Sequence, residues 1–292
     1  MREQKYIIEN PKSFKLKDIF ECGQCFRWNK QEDRSYTGVI KNGVLNVKQE
    51  ENEKSKNIII TGICEGEIKD FVEEYFDLKR DYEKIKSKLS KIDNNMKTSI
   101  EYGKGIRLLN QDLWETIISF IISANNNIPR IKGIIERLSQ KYGKEIIWNN
   151  KKYYTFPTPK ELKGVSVEEY RKLGLGFRDI RIYETTNKIV NKEIDLEKLK
   201  NNPNTQEVKE QLLTLSGVGP KVADCVLLFS DLKRLDAFPI DVWVRRVIND
   251  LYIKNENEEK VSKAQIEKIA QGKFGNLAGI AQQYLFYWRR EA

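Results

Sequence analysis

The hydrophobic positions of this chain change period near residue 106. Ahead of that point they come in short β-branched or alternating runs. Residues 36–40 and 44–47 flank Asn42-Gly43, a pair that tolerates positive φ at both positions, and so predict a hairpin. Residues 57–61, Asn-Ile-Ile-Ile-Thr, predict a third strand. Ile68, Phe71, Val72, Tyr75 and Phe76 recur at helical spacing and predict one helix laid on that sheet. Beyond residue 106 the period is helical almost throughout. Leu113, Ile117, Phe120 and Ile121 mark one apolar helix; Ile131, Ile134, Ile135 and Leu138 mark the next, with Gly143 as its C-cap. Thr158 with Glu161 and Ser166 with Glu169 form two capping boxes, each expected to open a helix. Helical patterns continue over 222–229, 242–251 and 266–270, and a last one over 277–290. The expectation is an α+β protein, an antiparallel sheet domain over 1–105 followed by a mainly helical domain over 106–292.

Charge and composition narrow the chemistry. Lys and Arg number 52 against 43 Asp and Glu, a net +9 over 292 residues, which favours a polyanionic partner. Histidine is absent, so Ser-His-Asp and Cys-His hydrolases, HExxH metalloproteases and His-ligated zinc deaminases are excluded. Catalysis, if any, rests on Lys, Asp, Glu, Cys or Tyr. Cys22, Cys25, Cys64 and Cys225 are too few for a disulfide scaffold, and Cys22-x-x-Cys25 lacks a second pair to complete a zinc site. The first residues carry no apolar signal core, and the longest apolar run, around 117–122, is far short of the ~20 residues that cross a bilayer. A soluble cytoplasmic protein is expected, with no membrane partner.

The sharpest segment is Leu215-Ser216-Gly217-Val218-Gly219-Pro220-Lys221-Val222. Two glycines between helical stretches let the backbone turn tightly and bring amide N–H groups close to a phosphate, with Pro220 suited to the first helical position. Such a turn grips backbone and does not read bases. Lys221, in the first turn of the helix, could be solvated, a phosphate contact, or a catalytic amine able to attack a sugar carbon. Twenty residues on, Pro239-Ile240-Asp241-Val242-Trp243 puts Asp241 at an N-cap position, where it could also stabilise a cation at an anomeric carbon.

Together these residues resemble the helix-hairpin-helix glycosylase superfamily, with its Gly/Pro-rich loop ending in aspartate. Within it the chain resembles the 8-oxoguanine DNA glycosylase/lyases, through Gly23-Gln24-Cys25-Phe26-Arg27-Trp28, residues 120–127, Leu173-Gly174-Leu175-Gly176-Phe177-Arg178, the hairpin, Pro239-Ile240-Asp241 and residues 278–286. The resemblance implies a bifunctional enzyme that flips 8-oxoguanine out of duplex DNA, excises it through a Schiff base on Lys221 with Asp241 as the essential carboxylate, and nicks the strand by β-elimination. It implies that the Gly23 carbonyl accepts the N7–H of the lesion, that Cys225 and Phe286 sandwich the base, and that Gln282 reads its Watson–Crick edge. By the same carry-over Asn125, Arg130 and Arg178 fill the gap and read the opposite base, and Phe177 stands in place of a tyrosine wedge. Gly217, Gly219 and Val222 of the hairpin and Trp243, where the family has a histidine, are expected on the DNA backbone. Arg289 replaces an aspartate near the pocket. No cofactor is implied and the cysteines of an iron–sulfur cluster are missing, but the hairpin carbonyls of Leu213, Leu215 and Val218 match a monovalent-cation site. A monomer acting on double-stranded DNA, nucleoid-associated in a prokaryote, is expected. Two other readings stay open: a superfamily member acting on alkylated purines or oxidised pyrimidines, and a DNA-binding module that cuts nothing.

Overall fold

The structure, a computed structural model, describes residues 1–51 and 55–291. Five antiparallel strands form the N-terminal sheet: β1 (Glu3–Glu9), β2 (Trp28–Lys30), β3 (Tyr36–Ile40), β4 (Gly43–Glu51) and β5 (Lys56–Ile63), in the order β1-β5-β4-β3-β2. The predicted hairpin is present as β3–β4, but Ile40 pairs with Gly43, so the turn residues are Lys41 and Asn42. Lys41 takes the positive φ of 48°. Gly43 is needed for a different reason: a Cβ there would lie 2.8 Å from the Ile63 carbonyl on the neighbouring strand. β1 escapes the sequence pattern because it is an edge strand with no fully buried residue.

Helices α1 (Leu16–Phe20) and α2 (Ile68–Tyr75) cover this sheet around an aromatic cluster. Phe20 stacks on Trp28 at 4.3 Å, and the Trp28 indole donates to the Tyr75 hydroxyl. Trp28 fits only because Gly38 faces it, where a Cβ would come within 2.5 Å of the indole. Two further helices, α3 (Tyr82–Leu89) and α4 (Asn94–Tyr102), lie in the part expected to be mainly β. Their Lys- and Asn-rich sequences hide the period, yet Asp81 and Asp93 cap them and Leu89, Met96 and Ile100 enter the core of the helical body.

That body contains α5 (Leu113–Ser123), α6 (Ile128–Tyr142), α7 (Val167–Lys172), α8 (Asp179–Val190), α9 (Leu196–Asn201), α10 (Thr205–Leu213), α11 (Pro220–Phe229), α12 (Val242–Ile248), α13 (Lys263–Phe274) and α14 (Ala278–Glu291). Between α6 and α7 sits a small hairpin, Glu145–Trp148 with Lys151–Tyr154. The Ser166 capping box opens α7 as expected. The Thr158 box forms the same reciprocal bonds with Glu161, but the chain only turns there and no helix follows. Capping signals mark a local bond pattern; a helix needs an apolar stripe beyond them. The bond pattern alone was the false lead. Among the described residues no helix is long and apolar enough to cross a membrane.

Candidate active site

The hairpin between α10 and α11 is shaped by its glycines. Gly217 has φ +82°, and a Cβ there would meet Arg181 Cδ at 2.9 Å. Gly219 caps α11 in extended geometry with nothing within 4 Å of its missing Cβ, so the helix N-terminus stands open. From beneath, α8 holds the loop: Thr185 Oγ1 donates to the Ser216 carbonyl and Lys188 Nζ to the Thr214 carbonyl. The Leu215 carbonyl accepts from Val218 N–H at 3.1 Å, whereas those of Leu213 and Val218 accept no hydrogen bond among the described residues.

In front of the hairpin lies an open concavity of about 650 Å³, with Asn125, Arg181, Gly219, Lys221, Asp241 and Trp243 on its walls; Gly217 and the buried Val222 line it too. Behind it is a small cavity of about 60 Å³ walled by Cys22, Gly23, Cys225, Gln282 and Phe286. Lys221 and Asp241 line both spaces and so stand at the passage between them. Lys221 Nζ lies 5.3 Å over the Phe120 ring, which in turn stacks on Phe229. Asp241 accepts from Val244 N–H at 2.8 Å as the cap of α12. Burial pushes the Cys225 thiol up to about 11, with the Lys221 charge beside it pulling the other way.

Two residues that wall the inner cavity have acceptors without donors among the described residues. Gln282 is 5% exposed and its Oε1 is buried with no hydrogen-bond partner among the described residues. The carbonyls either side of Gly23 are occupied, Cys22 O by Gln283 Nε2 and Gln24 O by Gln111 Nε2. Gly23, at φ +89°, has a carbonyl that accepts nothing among the described residues. Gln24 fixes this strip, donating to the Ile19 and Arg107 carbonyls and accepting from Leu109 N–H. Sequence reasoning passed over Gln24, Gln111 and Gln283, because a buried glutamine that ties loops together looks like any other polar residue until the loops meet.

On the rim, Phe177 is 52% exposed between the guanidinium groups of Arg178 and Arg181, at 4.1 and 5.0 Å from its centroid. Trp243 is 51% exposed next to Val242. Asn125 is exposed with φ +50°, and Arg130 is exposed near the Gly174 carbonyl. Arg178 differs from them. It is 1% exposed, and it donates to the carbonyls of Ala124, Asn125 and Leu175. Burial, then the Arg130 and Arg181 charges, hold its guanidinium below the usual value. Here it fastens the Asn125 turn and does not face outward. Arg289 also lies away from the cavity, paired with Asp250 at 3.1 Å; its neighbour Arg290 is the one that packs on Phe286. All four cysteines are free thiols.

Residues 6–117 match the family described as the N-terminal domain of 8-oxoguanine DNA glycosylase, and residues 118–271 match the HhH-GPD superfamily of base excision DNA repair proteins. The chain belongs to that superfamily. It is 42% identical to the 8-oxoguanine glycosylase/lyase of Clostridium acetobutylicum. That enzyme's structure with double-stranded DNA containing cytosine opposite 8-oxoG has a TM-score of 0.90, covering 100% of this chain and 98% of that one. A probable N-glycosylase/DNA lyase of Methanothermobacter thermautotrophicus is 33% identical over 77% of this chain and 76% of its own. The N-glycosylase/DNA lyase of Saccharomyces cerevisiae is 32% identical over 83% of this chain and 69% of its own.

Proposed function

We propose that this protein excises 8-oxoguanine from double-stranded DNA and then cleaves the strand at the resulting abasic site. The observation that carries the reading is the pair of unpartnered acceptors in one cavity, the Gly23 carbonyl and Gln282 Oε1. The buried Gln282 Oε1 without a donor is costly, and the free Gly23 carbonyl adds a second acceptor, so a ligand bearing two N–H edges suits the cavity. 8-Oxoguanine offers N7–H on one edge and N1–H and the N2 amine on another. Guanine has a lone pair at N7, which the Gly23 carbonyl would repel, so one proton separates lesion from normal base.

In this mechanism the hairpin amides and the open end of α11 hold the DNA backbone. Phe177 wedges into the stack with Asn125 and Arg130 beside it, Arg178 holding the Asn125 turn in place, while Trp243 packs on the backbone near the lesion. The extruded base passes Lys221 and Asp241 and lies between Cys225 and Phe286. The cavity of about 60 Å³ has room for a few waters and must widen as the base enters. The unprotonated Lys221 amine bonds to C1′, the glycosidic bond breaks, and its electron pair leaves on the purine, which takes up a proton. Asp241 stabilises the positive charge that grows on the sugar. The resulting hemiaminal ether opens to an imine as the C1′–O4′ bond breaks and O4′ takes up a proton, then a base removes a 2′ proton and the 3′ phosphate departs.

The enzyme works as a cytoplasmic monomer and needs no cofactor for these steps. The free carbonyls of Leu213 and Val218, with that of Leu215, fit a monovalent cation, which would add positive charge beside the gripped phosphate. Borohydride trapping on a duplex with one 8-oxoguanine opposite cytosine tests the reading. A covalent adduct is expected with the lesion, none with intact DNA, and none with Lys221→Gln, which still binds the lesion. Free base released by Lys221→Gln at the parent rate would overturn the assignment.

A further inference from the structure

Arg290 sits behind the inner cavity and is not part of its wall. Its guanidinium carbon lies 5.2 Å from the Phe286 ring centroid, Nη2 donates to the Glu21 carbonyl, and Nη1 is 3.2 Å from where a Cβ on Gly23 would be. Phe286 and Gly23 are both cavity walls, so the cation is one layer removed from the bound base on two sides. Its charge is partly offset by Glu291 at 3.2 Å, which also faces Lys17. The field nonetheless reaches the cavity: burial pushes the Cys22 thiol up to about 11, and the Arg290 charge is among the influences that oppose it. Arg290 is held by a carbonyl and an aromatic face.

We propose that Arg290 is a specificity-determining residue that sets the charge preference of the base cavity, favouring a neutral base and rejecting cationic alkylated purines. This rests on the reading of the cavity as a base pocket. A cation over one face of Phe286 draws π density toward itself and leaves the opposite face, which the proposal gives to the base, poorer in electrons. That face stacks well on an electron-rich neutral purine. It stacks badly on 3-methyladenine or 7-methylguanine, whose glycosylated forms carry a positive ring.

The test compares base release from two substrates, a duplex with one 8-oxoguanine and duplex DNA methylated on its purines, by mass spectrometry under single turnover. Arg290→Gln keeps a donor for the Glu21 carbonyl and loses the charge; Arg290→Lys keeps the charge; Arg290→Met is a second neutral side chain should Gln fold poorly. The neutral variants should shift the ratio of methylated-purine to 8-oxoguanine release upward by about tenfold, as expected for one unit charge a layer away. The Lys variant should keep the parent ratio. An unchanged ratio in the neutral variants, or an equal shift in Lys, overturns the role of Arg290. Parent enzyme that releases no 8-oxoguanine overturns the underlying reading instead.

Discussion

Helix α11 has a lysine–aspartate pair on each side, and the two pairs are built differently. On the outer side Lys209, from α10, meets Asp224 at 2.5 Å beside a cavity of about 310 Å³. Asp224 is 2% exposed; burial raises its carboxyl and Lys209 opposes the rise. On the other side Lys221 and Asp241 line the same two cavities, yet no ion pair joins them among the described residues. Asp241 is spent on the Val244 amide, and Lys221 rests over the Phe120 ring. An ammonium closed onto a carboxylate is held protonated and has no lone pair to offer. A lysine that stands off the carboxylate leaves that carboxylate free to meet positive charge on a reacting sugar, the role proposed for Asp241. The contrast separates a pair that holds helices together from the pair to which the proposed function gives the chemistry.

The largest effect should come from Asp241, and the variant must separate its two duties. Asparagine caps helices as well as aspartate, so Asp241→Asn keeps the acceptor for Val244 N–H and removes only the charge. Base release should fall by about 10²–10³-fold, the scale for deleting one preorganised electrostatic contact at a reacting centre. Melting temperature should not move. Asp241→Ala loses the same activity and about 1 kcal/mol of stability with the cap. Full activity in Asn with loss in Ala would make Asp241 a structural cap and dissolve the contrast.

The two aspartates also mark what was legible in the sequence. Asp241 was found because Pro-Ile-Asp precedes an apolar helix and follows a glycine hairpin at a fixed distance. Asp224 gave no signal, since a carboxylate beside Cys225 on an amphipathic helix reveals only that they point apart. The order of sheet then helices followed from period alone, and so did most helical segments. What failed was set by tertiary partners. β1 needed β5 to declare it, and Gly43 turned out to serve a neighbouring carbonyl and not the turn. The resemblance put Arg178 at the gap beside the opposite base and Arg289 in place of an aspartate near the pocket. In the structure the first is tied to three carbonyls and the second to Asp250, and no one-dimensional pattern distinguishes a buried guanidinium from an exposed one.

Breaking the outer pair should cost stability and leave chemistry alone. Lys209→Ala strands Asp224 in the interior, and losing a partner of a buried pair costs about 3–5 kcal/mol. The sign with pH is fixed by the direction of the shift. The folded carboxyl already sits above its unfolded value and would rise further without Lys209, so the folded state binds the proton more tightly. Stability of the variant therefore falls as pH rises through that window, and the deficit is smaller at acid pH. Denaturant midpoints across pH 5–8 would record this. Excision per folded molecule should match the parent; a loss as large as that of Asp241→Asn would mean both sides of α11 serve the reaction.

Glu115, in α5, is the intermediate case and the smallest effect. Arg27 Nη1 stands 3.9 Å from its carboxylate, too long for a hydrogen bond, and Nη1 is itself buried without one. Burial, opposed by Arg27 and aided by Asp112, pushes the Glu115 carboxyl up to about 7. A folded carboxyl that binds its proton more tightly than the unfolded one contributes stability at low pH and loses it as pH rises from about 4.5 through 7. Glu115→Gln is neutral at every pH, so its stability curve should lack that decline and cross above the parent near neutrality, by on the order of 1 kcal/mol at pH 8. A variant curve parallel to the parent from pH 5 to 8 would show that Glu115 is ionised throughout. Arg27 and Glu115 would then form a charged pair like Lys209 and Asp224, and the open spacing of Lys221 and Asp241 would stand in sharper contrast to both.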